Sequence, residues 1–171
     1  MIIVLVGYMG SGKSVVGQAL ASALGLPFMD LDDYIENQLQ QSISQLFAEK
    51  GEIYFRKIEQ EYLQKILQDK AQLVLATGGG TPCYSGNMDL ILKHTLSVCY
   101  LKVSVAELAV RLSAEKNHRP VISHIADDAL PDYIAKHLFE RNSFYLQAKY
   151  TIVCDGKSVM EIVEEIKQRL V

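Results

Sequence analysis

The segment Gly7-Tyr8-Met9-Gly10-Ser11-Gly12-Lys13-Ser14 matches G-x-x-x-x-G-K-[ST], and it stands between an apolar run, Ile2 to Val6, and a stretch of helical periodicity starting at Lys13. Short glycine motifs recur by chance, and most are plain turns. A strand before and a helix after convert this one into a phosphate-binding loop. Its glycines let the backbone curl until successive N–H groups point inward, and the helix adds the positive end of its dipole. Lys13 then reaches the outer phosphates of a nucleotide, and the Ser14 hydroxyl is placed to ligate magnesium.

The remainder of the chain agrees with that beginning. Apolar runs at Ile2–Val6, Pro27–Leu31, Leu73–Thr77, Leu96–Lys102 and Tyr150–Cys154 alternate with helical stretches, the pattern of a parallel sheet covered on both faces. Ser42 with Gln45, Ser104 with Glu107 and Ser158 with Glu161 stand at capping-box spacing and mark helix starts. Gly25 and Gly51 are placed to end the helices that begin near Lys13 and Ile43. From Phe55, the residues Ile58, Tyr62, Leu63, Ile66 and Leu67 form the stripe of an amphipathic helix, read as core packing. At 171 residues, with 49% hydrophobic and 22% charged side chains, the chain is one globular α/β domain, 1–171, without repeats or linkers. A net charge of −3 does not suit a protein that neutralises many phosphates along a nucleic acid. The apolar run Met1–Val6 is too short for a signal sequence or a membrane span. Cys83, Cys99 and Cys154 are too scattered for a disulfide framework, so a reducing cytoplasm is expected.

A phosphate-binding loop does not say where the phosphate goes, since motors, GTPases and small-molecule kinases all use it. No Asn-Lys-x-Asp for guanine is present and the chain is too short for the modules of a motor, which leaves a compact kinase with an acceptor site. Asp30 and Asp32 flank Leu31 at the end of the second strand, where alternation would turn both carboxylates to one side. One can serve the metal while the other takes the proton of an attacking hydroxyl; the plainer reading has Asp32 or Asp33 cap the next helix. Only five of seventeen basic residues are arginines, and Arg56, Arg119 and Arg141 lie beside aromatic or irregular segments where a planar fork would suit a carboxylate or phosphate. Gly78-Gly79-Gly80 follows the third strand directly and permits a ligand to approach the backbone. His94, His124 and His137 suggest no role.

Taken together, Gly7 to Ser14, Phe-x-Asp-x-Asp at Phe28 to Asp32, Phe55-Arg56-x-x-Glu59, Gly78-Gly79-Gly80, Arg119-Pro120 and Arg141-Asn142-x-Phe144-Tyr145 resemble the shikimate kinase family in order and spacing over nearly the whole chain. The resemblance implies a five-stranded parallel sheet ordered 2-3-1-4-5 with helices on both faces, a substrate-binding helical region at about 32–60 and a mobile lid at about 112–126. It implies transfer of the γ-phosphoryl group of ATP to the 3-hydroxyl of shikimate, on the route to chorismate and aromatic amino acids, by a monomer with no nucleic-acid or membrane partner. Under it, Gly10, Ser11, Gly12, Lys13, Ser14 and Val15 hold ATP, with Arg111 near the adenine. Ser14 and Asp30 serve Mg2+, and Asp32 orients or deprotonates the hydroxyl. Arg56 and Arg141 clamp the shikimate carboxylate, and Gly78, Gly79 and Gly80 touch the ring hydroxyls. Phe47 and Phe55 line its apolar side, Glu59 holds Arg56, and Arg119 swings in on the lid. Ser143 stands where many members carry proline, which implies a looser turn before Phe144, and Asp155-Gly156-Lys157 falls on the adenine side. Two other classes fit parts of the pattern: a gluconate-type kinase, which need not pair Arg56 with Arg141, and a nucleotide-binding regulatory module without transfer.

Overall fold

The computed structural model describes residues 1–171, and its centre is strand β1, Ile2–Val6, in which Ile3 through Val6 are wholly inaccessible to solvent. A strand apolar at every position has no wet face, so it must be covered from both sides. In chain order follow α1 (Lys13–Leu24), β2 (Phe28–Asp30), α2 (Leu31–Leu39), α3 (Ile43–Asp69), β3 (Leu73–Ala76) and α4 (Asn87–His94). The second half adds β4 (Val98–Lys102), α5 (Val105–Glu115), α6 (Leu130–Tyr145), β5 (Tyr150–Val153) and α7 (Val159–Leu170). The sheet is parallel throughout and ordered β2-β3-β1-β4-β5, with β1 in register between β3 (Val4 opposite Leu75) and β4 (Val4 opposite Val98). The order reverses at β1, so the crevice beyond its carboxyl end lies where open α/β sheets gather their ligands.

Local chemistry accounts for the boundaries. Ser42 and Ser158 make complete capping boxes with Gln45 and Glu161. Ser104 makes half of one: its Oγ accepts from the Glu107 N–H at 3.2 Å, but the Glu107 carboxylate is taken by Arg111 at 3.0 Å. Gly25 ends α1 in the left-handed conformation (φ 64°). Gly51 ends the helix that starts at Ile43: its backbone is non-helical (φ 83°, ψ 171°), so α3 is two helices joined at a kink, the second running to Asp69. The turn expected before Phe144 does not exist, because α6 runs unbroken through Ser143 to Tyr145. The Asp155 carboxylate accepts from the Ser104 N–H and hydroxyl at 3.1 and 2.7 Å, tying the start of α5 to the end of β5.

The strand-to-helix corner at Asp30 differs most from expectation. Helix α2 begins at Leu31, so Asp32 lies in its first turn and strand alternation does not apply. Asp30 itself is the cap, and Oδ1 accepts from the N–H groups of Asp32 and Asp33 at 3.0 and 3.4 Å. The two carboxylates meet because a cap bends the chain sharply.

Helix α7 has the strongest amphipathic pattern, burying Ile162, Val163 and Ile166, and packs on α1. Removing its cap with Ser158→Ala lowers the unfolding free energy by about 1 kcal/mol in a urea titration, with an unchanged slope. An unaltered midpoint would show that water replaces the cap at no cost.

Candidate active site

Two cavities open side by side at the carboxyl edge of the sheet, of about 370 and 220 Å³. The larger is walled by Gly10, Gly12, Lys13, Ser14, Val15, Asp30 and Arg111, and the smaller by Phe47, Phe55, Arg56, Gly80, His137 and Arg141. Met9, Asp32, Gly78, Gly79 and Arg119 line both. The chain therefore builds a cradle beside the phosphate-binding loop and an anion pocket with a common wall. Of Gly10 to Val15, the residues expected to hold ATP, Ser11 alone does not line the cradle: it is buried, and its N–H donates to the Tyr8 carbonyl at 3.2 Å.

In the cradle, Lys13 Nζ donates to the carbonyls of Gly7 and Tyr8 at 2.8 and 3.0 Å. Burial lowers its pKa to about 8, against the opposing pull of Asp32 and Asp30. The Ser14 hydroxyl donates to Asp30 Oδ2 at 2.5 Å, so both oxygens meet at one point. Arg111 donates through Nη1 to the Gly10 carbonyl at 3.2 Å, which fixes α5 against the loop. Arg119 is paired with Glu115 at 2.7 Å. Glu115 also lines the cradle, although nothing in its sequence context marked it.

The floor of the shared wall explains the glycine run. A Cβ on Gly78 would stand 3.0 Å from Asp32 Oδ1, one on Gly79 3.0 Å from the Met9 backbone nitrogen, and one on Gly80 2.7 Å from Arg56 Nη2. Gly78 and Gly80 each leave room for a charged side chain, and Gly79 lets this loop approach the phosphate-binding loop, with Arg141 Nη1 in ordinary contact at 3.5 Å. Arg56 is then fixed from several directions. Its Nη1 donates to Glu59 Oε1 at 2.9 Å, Nε lies 3.5 Å from Glu52, and the guanidinium carbon sits 3.9 Å from the Tyr84 ring centroid. Glu59 is 1% exposed and accepts on its other oxygen from Thr81 at 2.8 Å, so it ties α3 to the glycine loop. A buried charge held this way is costly to orphan, by about 3–5 kcal/mol. Tyr145, 0% exposed, donates to the Gly79 carbonyl at 2.6 Å and anchors the loop from α6. Tyr84 escaped the sequence reading, and Tyr145 entered it only as part of a motif with no role of its own, since stacking and long-range anchoring leave no local spacing; the Arg56–Glu59 pair was visible as one turn of helix.

Asp32 sits among like charges. Burial first, then Asp30 and Glu59, raise its pKa to about 7, with Lys13 opposing. A carboxyl with that value exchanges its proton near neutral pH, as a general base should.

The family model described as shikimate kinase matches residues 9–171. A shikimate kinase of Flavobacterium psychrophilum is 46% identical over 168 residues, covering 98% of each chain. The crystal structure of shikimate kinase from Bacteroides thetaiotaomicron superposes with a TM-score of 0.92 at 35% identity, covering 99% of this chain and 98% of that one. That of shikimate kinase from Acinetobacter baumannii in complex with shikimate gives 0.89 at 33% identity, covering 99% and 92%. Identity of that breadth goes beyond a shared sheet, and the chain belongs to the shikimate kinase family.

Proposed function

We propose that the chain transfers the γ-phosphoryl group of ATP to the 3-hydroxyl of shikimate, giving shikimate 3-phosphate and ADP, as a cytoplasmic monomer in aromatic amino acid biosynthesis. The observation that carries this reading is the common wall: a phosphate held by the loop and an acid held by Arg56 and Arg141 would face each other across Asp32, Gly78, Gly79 and Arg119. A carboxylate suits two guanidinium forks, and because gluconate carries one too, what favours shikimate is the family match over residues 9–171. A regulatory module would have no use for a carboxyl poised near neutrality beside the anion pocket.

The roles follow from position. The loop amides and Lys13 hold the phosphates, and their charge keeps the Lys13 ammonium protonated. Arg56 and Arg141 fix the acceptor carboxylate, Phe47 and Phe55 exclude water from one side, and Asp32 receives the hydroxyl proton as the new O–P bond forms and the bond to ADP breaks. Arg119, lining both cavities, offsets charge on the transferring group once it leaves Glu115. The paired oxygens of Ser14 and Asp30 are hard donors of the kind Mg2+ takes together with phosphates and water, so these residues fit the ion. When bound, Mg2+ supplies neutralisation of the phosphate charge. Water is a smaller nucleophile than shikimate, so alignment must await the acceptor; we assign closure over it to residues 112–126, of which 112–115 form the end of α5.

Coupled detection of ADP tests the activity: release requires shikimate, gluconate and nucleoside monophosphates do not replace it, and the product gains one phosphate by mass spectrometry. ADP formation at the same rate without shikimate contradicts it.

Asp32→Asn lowers kcat by about 100- to 10,000-fold and flattens the rise of kcat/KM through about pH 7 that wild type shows. The same substitution acts oppositely on stability. Folded Asp32 keeps its proton from the ordinary value of 3.8 up to about 7, so wild type loses stability as pH rises through that window. The ligand-free Asn variant therefore melts higher than wild type at pH 8, and the gap closes toward pH 4. Equal melting temperatures at pH 8 would show Asp32 to be unstrained.

Gly80 has an ordinary backbone (φ −85°, ψ −17°), so Gly80→Ala meets only the Arg56 guanidinium. It leaves melting within a few degrees of wild type and raises the KM for shikimate about tenfold or more, with the KM for ATP little changed. An unaltered KM for shikimate would place the acid elsewhere.

A further inference from the structure

One wall of the acceptor pocket has no task in the mechanism above, the imidazole of His137. It stands on α6 one turn before Arg141, and its Nδ1 is 2.8 Å from the hydroxyl of Tyr8. Tyr8 belongs to the phosphate-binding loop and is 1% exposed, so its hydroxyl needs a protein partner. The two rings meet edge to face with centroids 5.4 Å apart, and Tyr133 packs on the imidazole from one turn earlier at 5.5 Å. The imidazole is thus fixed in both place and plane. Tyr8 also touches the two halves of the site: its carbonyl accepts from Lys13 Nζ at 3.0 Å, and its ring centroid lies 6.0 Å from the Arg141 guanidinium carbon. Burial, and next the Arg141 charge, lower the His137 pKa, so the neutral ring and the Tyr8 hydroxyl share one hydrogen between Nδ1 and Oη.

We propose that His137 is a positioning residue for the acceptor: tied through Nδ1 to Tyr8 of the phosphate-binding loop, it sets where Arg141 stands relative to Lys13. The inference rests on the shikimate reading of the pocket. A histidine that only filled space would affect stability without selecting one substrate over the other.

Initial rates with shikimate and ATP varied separately, and thermal unfolding, are measured for wild type, His137→Leu, His137→Asn, Tyr8→Phe and the His137→Leu/Tyr8→Phe double variant. Leu keeps bulk and loses Nδ1, whereas Asn returns a polar group near its position. Losing one neutral hydrogen bond raises the KM for shikimate about three- to tenfold in both His137→Leu and Tyr8→Phe. The KM for ATP moves less than about twofold, and His137→Asn recovers most of the loss. The double variant is no worse than the poorer single one, as expected for a single shared contact. An unchanged KM for shikimate in a folded His137→Leu overturns the proposal, as do a parallel rise for ATP, no rescue by Asn, or additive losses. Should His137→Leu not fold, Tyr8→Phe decides by the same criteria. Wild type without shikimate-dependent ADP release contradicts the activity itself, whereas an active wild type with an indifferent His137 contradicts only this inference.

Discussion

Three missing Cβ atoms govern the site. At Gly78 and Gly80 the space a side chain would take is occupied by Asp32 and Arg56, and at Gly79 a Cβ would press on the Met9 backbone nitrogen at 3.0 Å, with Arg141 in ordinary contact at 3.5 Å. Asp32, Arg141 and Arg56 come from α2, α6 and α3, elements distant in sequence, and the loop after β3 is where they converge. Because β3 pairs directly with β1, that loop is carried beside the phosphate-binding loop, and the two cavities acquire their common wall. Close approach of donor to acceptor is thus a property of backbone shape, and it supplies the positioning on which phosphoryl transfer depends.

The convergence has an electrostatic cost that the fold distributes. Asp30, Asp32 and Glu59 crowd one corner, and Asp32 responds by holding its proton to about pH 7. Asp30 is partly relieved by capping α2 and by the Ser14 hydroxyl, and Glu59 by Arg56 and Thr81. Only Asp32 has no hydrogen-bond partner for its carboxylate among the protein's own side chains, and it faces both cavities. Stability is yielded at the residue where chemistry needs a proton acceptor, a common trade at functional sites.

Much of this was legible in the sequence, and the limits were physical. Strands mostly continuous in apolar residues and the loop at Gly7 announced a parallel sheet with a nucleotide edge, because burial on both faces leaves little freedom in residue type. Arg56 and Glu59 were readable as neighbours on a helix. The Asp30 corner was misread, since a residue that ends a strand and caps a helix obeys neither periodicity; only its hydrogen bonds to the Asp32 and Asp33 N–H groups reveal it. Gly51 was readable as the end of the helix from Ile43, and it is the kink at which that helix stops; the apolar stripe beyond it carries the next one to Asp69. Tyr84, Tyr145 and His137 act across 28, 66 and 129 residues of chain on Arg56, Gly79 and Tyr8. Contacts of that span have no local signature.

The most direct measurement is a crystal structure of the chain with shikimate and ADP bound. The carboxylate should lie between Arg56 and Arg141 in the smaller cavity, with a ring hydroxyl on Asp32 turned toward the phosphate cradle. Shikimate found away from both guanidinium groups, or with its hydroxyls turned from Asp32, would contradict the convergence on which the account rests.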